Sequence, residues 1–148
     1  MRNAARLTLK VTACLALATM LLSACAPKGP AYVKNGKNYD TPTAIALLAS
    51  VDTGSFSKER TSDGPKLRHA ALAALRRHGS DASSAADLLT RTFPSKTAGV
   101  PVYVEHGSFN SVPAFVVIEA TGPASGHLNS KRIWIVGEKG DILFAGSR

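Results

Sequence analysis

The apolar positions of this chain change their period three times. Val11 to Ala24 form an unbroken run of 14 uncharged, mostly apolar residues behind Arg2, Arg6 and Lys10. Residues 26–40 carry Pro, Gly, Asn and Lys with no regular apolar spacing and read as a tether. Thr41-Pro42 looks like a helix start, a hydroxyl cap followed by a proline whose missing N–H costs nothing in the first turn. Ile45, Leu48 and Val51 recur on one face behind it, and Gly54 is placed to end the helix. From Thr53 to Ser62 the chain is polar and reads as a mobile loop.

Two further helices follow. Pro65 to His78, capped by Asp63 and stopped by Gly79, puts Leu67, Ala70, Ala71, Ala74, Leu75 and His78 on one stripe. Ser80 to about Thr92, capped by Ser80 and ended by Pro94, puts Ala82, Ala85, Ala86, Leu89 and Phe93 together. After Gly99 the period falls from 3.6 to 2. Val100–His106, Ala114–Ala120, Arg132–Val136 and Ile142–Ala145 are strand candidates rich in Val, Ile and aromatic residues. Phe115-Val116-Val117-Ile118 is apolar on both faces, as a central strand requires, and Gly137–Asp141 makes the last two strands a hairpin. Helices followed by a run of strands predict an α+β domain, about three N-terminal helices packed on one face of a four-stranded antiparallel β-meander. The expected organisation is a leader over 1–24, a tether over 25–40 and one domain over 41–148.

Composition sharpens this picture at the N-terminus. The 148 residues carry a formal charge of +8, but Arg2, Arg6 and Lys10 belong to the leader, which leaves 15 basic and 10 acidic residues, a charge of +5. So modest an excess gives no reason to expect nucleic acid as a partner. A positive segment, an apolar run and a small-residue site, in that order, make a secretory signal. As a helix the run would span roughly 21 Å, short of the ~30 Å hydrocarbon core.

Leu22-Ser23-Ala24-Cys25 resembles the lipobox of bacterial lipoproteins: an aliphatic residue, two small ones and cysteine. Val11-Thr12-Ala13-Cys14 fits the same pattern, but only Cys25 closes the full apolar run. The resemblance covers the first 25 residues and implies a diacylglycerol thioether on Cys25, cleavage before it and acylation of the new amine. The implied location is the extracytoplasmic face of the cell membrane, or the outer membrane in a cell that has one. Two or three acyl chains make such an anchor durable where one does not. Lys28, Lys34 and Lys37 lie just beyond it, suited to an anionic leaflet. With Cys14 removed and Cys25 acylated, no disulfide or cysteine-metal site is possible in the domain.

Catalytic chemistry finds little to work with. His69, His78, His106 and His127 have no second histidine or cysteine at ligand spacing, and Glu105 and His106, adjacent on a strand, point to opposite faces. No metal and no other cofactor is expected. Gly122-Pro123-Ala124-Ser125-Gly126 has proline where a nucleophile elbow needs glycine, and it sits between strands. Asp52-Thr53-Gly54-Ser55 is similar to the Asp-Thr-Gly-Ser motif of aspartic proteases. One copy implies a dimer, with Ile135-Val136-Gly137 in the place of that family's support segment. In that family the motif follows a strand, whereas helical spacing precedes Asp52 here, which favours a helix end with Gly54 as a left-handed residue.

The function expected is therefore a membrane-anchored, non-enzymatic binding or envelope-support module. Its contact surfaces would be the basic side of the second helix, Arg68, His69, Arg76 and Arg77, and the loop around His127. Suitable partners are an envelope protein, anionic lipid or wall polymer; oligomeric state is left open. The alternative is a small secreted hydrolase, for example a dimeric aspartic-protease-like enzyme using Asp52.

Overall fold

A computed structural model describes residues 29–93 and 98–148. The signal run, the lipobox and Pro94 lie outside the described residues. The order of elements is β1 (Ala31–Tyr39), α1 (Thr41–Ser50), α2 (Gly64–Leu75), α3 (Ser80–Thr92), β2 (Val100–Phe109), β3 (Val112–Thr121), β4 (Ser130–Gly137) and β5 (Ile142–Ser147). Five strands form one sheet in the order β1-β2-β3-β4-β5. The domain is α+β, as the pattern predicts.

Two features of the expected architecture are corrected. The supposed tether over 25–40 contains β1, which pairs parallel with β2, Ala31 opposite Tyr103 and Tyr39 opposite Phe109. The sheet is therefore mixed and five-stranded. β1 escapes a periodicity search because it holds Lys34, Asn35, Gly36 and Lys37 in its middle, with Gly36 in the left-handed region at φ 64° and a register shift between Lys34 and Asn38.

The second correction concerns the layers. Residues 114–120 of β3 are all buried, so both faces of this strand are covered. One core joins Ala114, Val116, Ile118, Ile133 and Ile135 to Ala44 and Leu48 of α1. The other joins Val104, Phe115, Val117 and Val136 to Leu72 and Leu75 of α2 and the buried residues of α3. The alternation of side chains along a strand sends odd and even residues of β3 to different cores. α1 thus belongs to the first core and α3 to the second, while α2 contributes Ala71 to the first and Leu72 and Leu75 to the second.

The helix ends are set by local chemistry. Asp40, not Thr41, caps α1: its carboxylate accepts from Thr43 N–H at 3.0 Å, and Thr43 Oγ1 accepts from Asp40 N–H at 2.9 Å. This reciprocal pair is a capping box with threonine in the third position. Leu48 and Ala44 are the buried residues of α1, while Ile45 is 53% exposed, so the stripe is rotated towards the alanine. α2 starts one residue before Pro65 and its last turn, Arg76–His78, tightens to a 3-10 helix before Gly79 at φ 109°. Gly79, rather than Ser80, is the N-cap of α3. The expected face of α3 is the buried one.

The polar stretch after α1 is ordered rather than loose. It forms short 3-10 turns at Gly54–Lys58 and Thr61–Asp63. Leu128 N–H donates to Glu59 O at 2.9 Å and Thr61 N–H to Gly126 O at 3.0 Å, which ties it to the β3–β4 connection. At Gly122, in that connection, a Cβ would overlap the His127 carbonyl oxygen. Among the described residues, no helix is long and apolar enough to cross a membrane.

Candidate functional site

Part of the basic side of α2 is committed to the fold. Arg68 is buried, and its Nη1 donates to Glu119 Oε1 at 2.7 Å and to Gly99 O at 2.7 Å, while Nη2 donates to Leu89 O at 3.1 Å. Arg76 donates to Asp87 Oδ1 from Nε at 3.1 Å and from Nη2 at 2.9 Å. Only His69 and Arg77 of the four expected contact residues are exposed without an ion pair. Three of the four are exposed and only Arg68 is withdrawn from the expected contact surface. An arginine can be buried here because Glu119 and three backbone carbonyls meet its donors.

Asp52 and His127 lie apart from any cavity wall described below. Asp52 is exposed, one residue beyond the extended C-cap Val51 of α1, and Gly54 is left-handed at φ 58°. The Asp-Thr-Gly-Ser segment thus follows a helix, not a strand. His127 is exposed and its backbone bridges to Arg60, so the loop around it pins two connections together.

A polar cleft of about 360 Å³ lies between α3 and the sheet. Asp81, Ser84, Asp87, Leu88 and Arg91 of α3 face His106 of β2, Phe115 of β3 and Glu138 of the β4–β5 turn. The imidazole of His106 stacks on Phe115 with centroids 4.7 Å apart. Its Nε2 is 2.9 Å from Glu138 Oε1, and its Nδ1 is 4.0 Å from Asp81 Oδ2. Lys34 of β1 is ion-paired with Asp81. That hydrogen bond and the charge of the ammonium hold the Asp81 carboxyl below its ordinary range, and the same bond raises Lys34.

Three carboxylates of the cleft each engage the fold through one oxygen: Asp81 Oδ2 with Lys34, Asp87 Oδ1 with Arg76, Glu138 Oε1 with His106. The Ser84 hydroxyl donates to Ser80 O at 3.0 Å, along its own helix, instead of meeting the imidazole. Charged and hydrogen-bonding groups around an aromatic floor suit the binding of a small polar group. Among the described residues no cluster of three or more His, Cys, Asp or Glu has the geometry to hold a metal ion.

Sequence reasoning named His106 but missed this cleft. Asp81, His106 and Glu138 lie 25 and 32 positions apart and on three elements, so no local spacing joins them. The expectation that Glu105 and His106 face opposite ways agrees with the register, His106 opposite Phe115 and Glu105 opposite Val116.

Glu105, on the other face, is fully buried and accepts the phenol hydroxyls of Tyr39 at 2.6 Å and Tyr103 at 2.5 Å, both on Oε2. Burial, and next the bond to Glu105, push both phenols above the ordinary tyrosine range. Comparisons with protein-family models, with curated proteins and with solved structures find no match to this chain.

Proposed function

We propose that the protein is a membrane-anchored bacterial lipoprotein whose α+β domain works outside the cytoplasmic membrane by binding an envelope component. The observation that carries this reading is Cys25 at the end of the 14-residue apolar run behind Arg2, Arg6 and Lys10. A leader of that form exports the chain, and a cysteine at its end supplies the thiol that lipidation needs. The α3 cleft supports the binding part of the reading, because its polar groups ring an open volume and sit on rigid elements. It stands beside the basic side of α2 as a place to look for a ligand.

The test is metabolic labelling with a radioactive or clickable fatty acid in a bacterial host. The wild-type chain should carry label and lose its first 24 residues. Cys25→Ser should accumulate as unlabelled precursor. Label that persists in Cys25→Ser, or a wild-type chain cleaved without label, would overturn the assignment.

A further inference from the structure

We infer that the corner between α2 and α3, carrying Arg76, Arg77 and His78, is the surface that lies against anionic phospholipid headgroups. This inference rests on the lipid anchor at Cys25 proposed above and adds the orientation of the domain to it.

The packed chain begins closer to Cys25 than the sequence suggests. At Gly29 a Cβ would come within 2.5 Å of the Cβ of Ala74, so the backbone there lies directly on the end of α2. Two residues later β1 enters the sheet. Only residues 26–28 separate Cys25 from Gly29, and four Cα–Cα steps of about 3.8 Å reach at most ~15 Å. A tether of 15 residues would let a domain tumble freely. This leash holds the α2–α3 corner near the bilayer surface.

The neighbourhood of Gly29 is basic. Arg76, Arg77 and His78 form the turn that follows Ala74, and all three are exposed. Tyr32 of β1 has its ring 6.1 Å from that of His78, which keeps the first strand residues beside this turn. Arg77 makes no ion pair among the described residues, and the Arg76–Asp87 pair is itself half exposed to solvent. Basic groups next to a lipid anchor are attracted by the negative potential of an anionic leaflet, and that attraction fades within a Debye length. A leash of at most ~15 Å lets them come within that distance, which a long tether would rarely do.

The opposite end of the sheet has the opposite fate. β1 runs from Ala31 beside Tyr103 to Tyr39 beside Phe109, and Phe109 pairs with Val112 at the β2–β3 turn. Six residues of strand, about 20 Å, separate the two ends. Val112, at that far end, is exposed.

The experiment uses the full lipidated chain reconstituted in vesicles, with a nitroxide attached to Ser80→Cys beside the corner or to Val112→Cys as the distal control. Both positions are exposed, and a thioether-linked Cys25 does not react. Collision with a water-soluble nickel chelate is measured in phosphatidylglycerol-containing and in pure phosphatidylcholine vesicles. The expected result is several-fold protection at position 80 relative to position 112 on phosphatidylglycerol. The protection should fall on phosphatidylcholine and in Arg76→Glu/Arg77→Glu protein. Equal accessibility of the two labels on phosphatidylglycerol, with lipidation confirmed by intact mass, overturns the orientation. Protection that is unchanged on phosphatidylcholine overturns the role of anionic headgroups and points to another occupant. A mass without acyl chains defeats the anchor itself, which separates failure of the anchor from failure of the orientation.

Discussion

Replacing Arg68 by methionine tests how the buried charges hold the domain together. The Arg68 side chain is 4% exposed and that of Glu119 0%. Glu119 Oε1 accepts from Arg68 at 2.7 Å, while Oε2 accepts from Trp134 Nε1 at 2.9 Å, Arg132 Nη2 at 3.0 Å and Gly99 N–H at 3.2 Å. Methionine fills most of the arginine volume but donates nothing, so Oε1 is left buried with a negative charge and no donor. The carbonyls of Gly99 and Leu89 lose their guanidinium contacts as well. Breaking a buried pair in this way costs about 3–5 kcal/mol. Set against a typical stability of about 5–15 kcal/mol, that is a large share. For a domain of this size the melting temperature should fall by roughly 10–20 °C. Urea unfolding of the Cys25→Ser chain lacking residues 1–24 would measure it. The companion variant, Arg68→Met/Glu119→Leu, removes both charges and should be less unstable than the sum of the single losses. A single variant within about 0.5 kcal/mol of wild type, or strict additivity of the two, would refute the reasoning.

The other predictions concern smaller parts of the structure. All three tyrosines, Tyr32, Tyr39 and Tyr103, have phenols raised above the ordinary range, burial being the main cause in each. A raised phenol contributes stability that is complete below the unfolded value near pH 10 and is lost as pH climbs through the folded value. Tyrosinate absorbance should therefore stay low in mildly alkaline solution and rise together with unfolding; a smooth rise in the folded protein would contradict this. Tyr39→Phe removes one of two donors to the buried Glu105 and should cost about 1.5–3 kcal/mol, read from the urea midpoint. At the acid end, Asp40 is held low by its bonds to Thr43 and Asp81 by Lys34. Both contributions are present above the ordinary carboxylate range and are lost as pH falls through the depressed values. Carboxyl chemical shifts followed by NMR should accordingly show these two groups titrating below the ordinary carboxylate range. Gly122→Ala forces a Cβ into the His127 carbonyl and should cost about 1–3 kcal/mol, with hydrogen exchange rising first at Leu128.

Much of the fold is legible along the chain because most elements have a periodic apolar face. α3 shows this best: Ala82, Ala85, Ala86 and Leu89 are spaced for one face, and all are fully buried. The four strands from Val100 onwards are legible for the same reason, though each runs beyond the apolar stretch that marks it. β1 has no such signature. It is an edge strand whose middle holds lysines and a left-handed glycine, and its place depends on pairing with residues about 70 positions away. The assignment of helices to the two cores is likewise hidden, because a strand apolar on both sides does not say which helix goes where.

The candidate cleft was illegible for a different reason. Its parts are ordinary polar residues on α3, β2 and the β4–β5 turn, and their meaning lies in distances that sequence spacing does not encode. Arg68 shows the reverse error. A helix wheel puts it beside other basic residues, yet the partner that draws it inward, Glu119, sits 51 positions away.

The sequence by itself determined the class of the domain and the positions of three helices and four strands, since periodicity is a local property. The tertiary structure decided that the supposed tether is a strand, that one arginine of the basic face is buried, and that His106 stands between Asp81 and Glu138. These outcomes depend on which distant segments meet, and the free energy of burying or pairing a group is set only when they do.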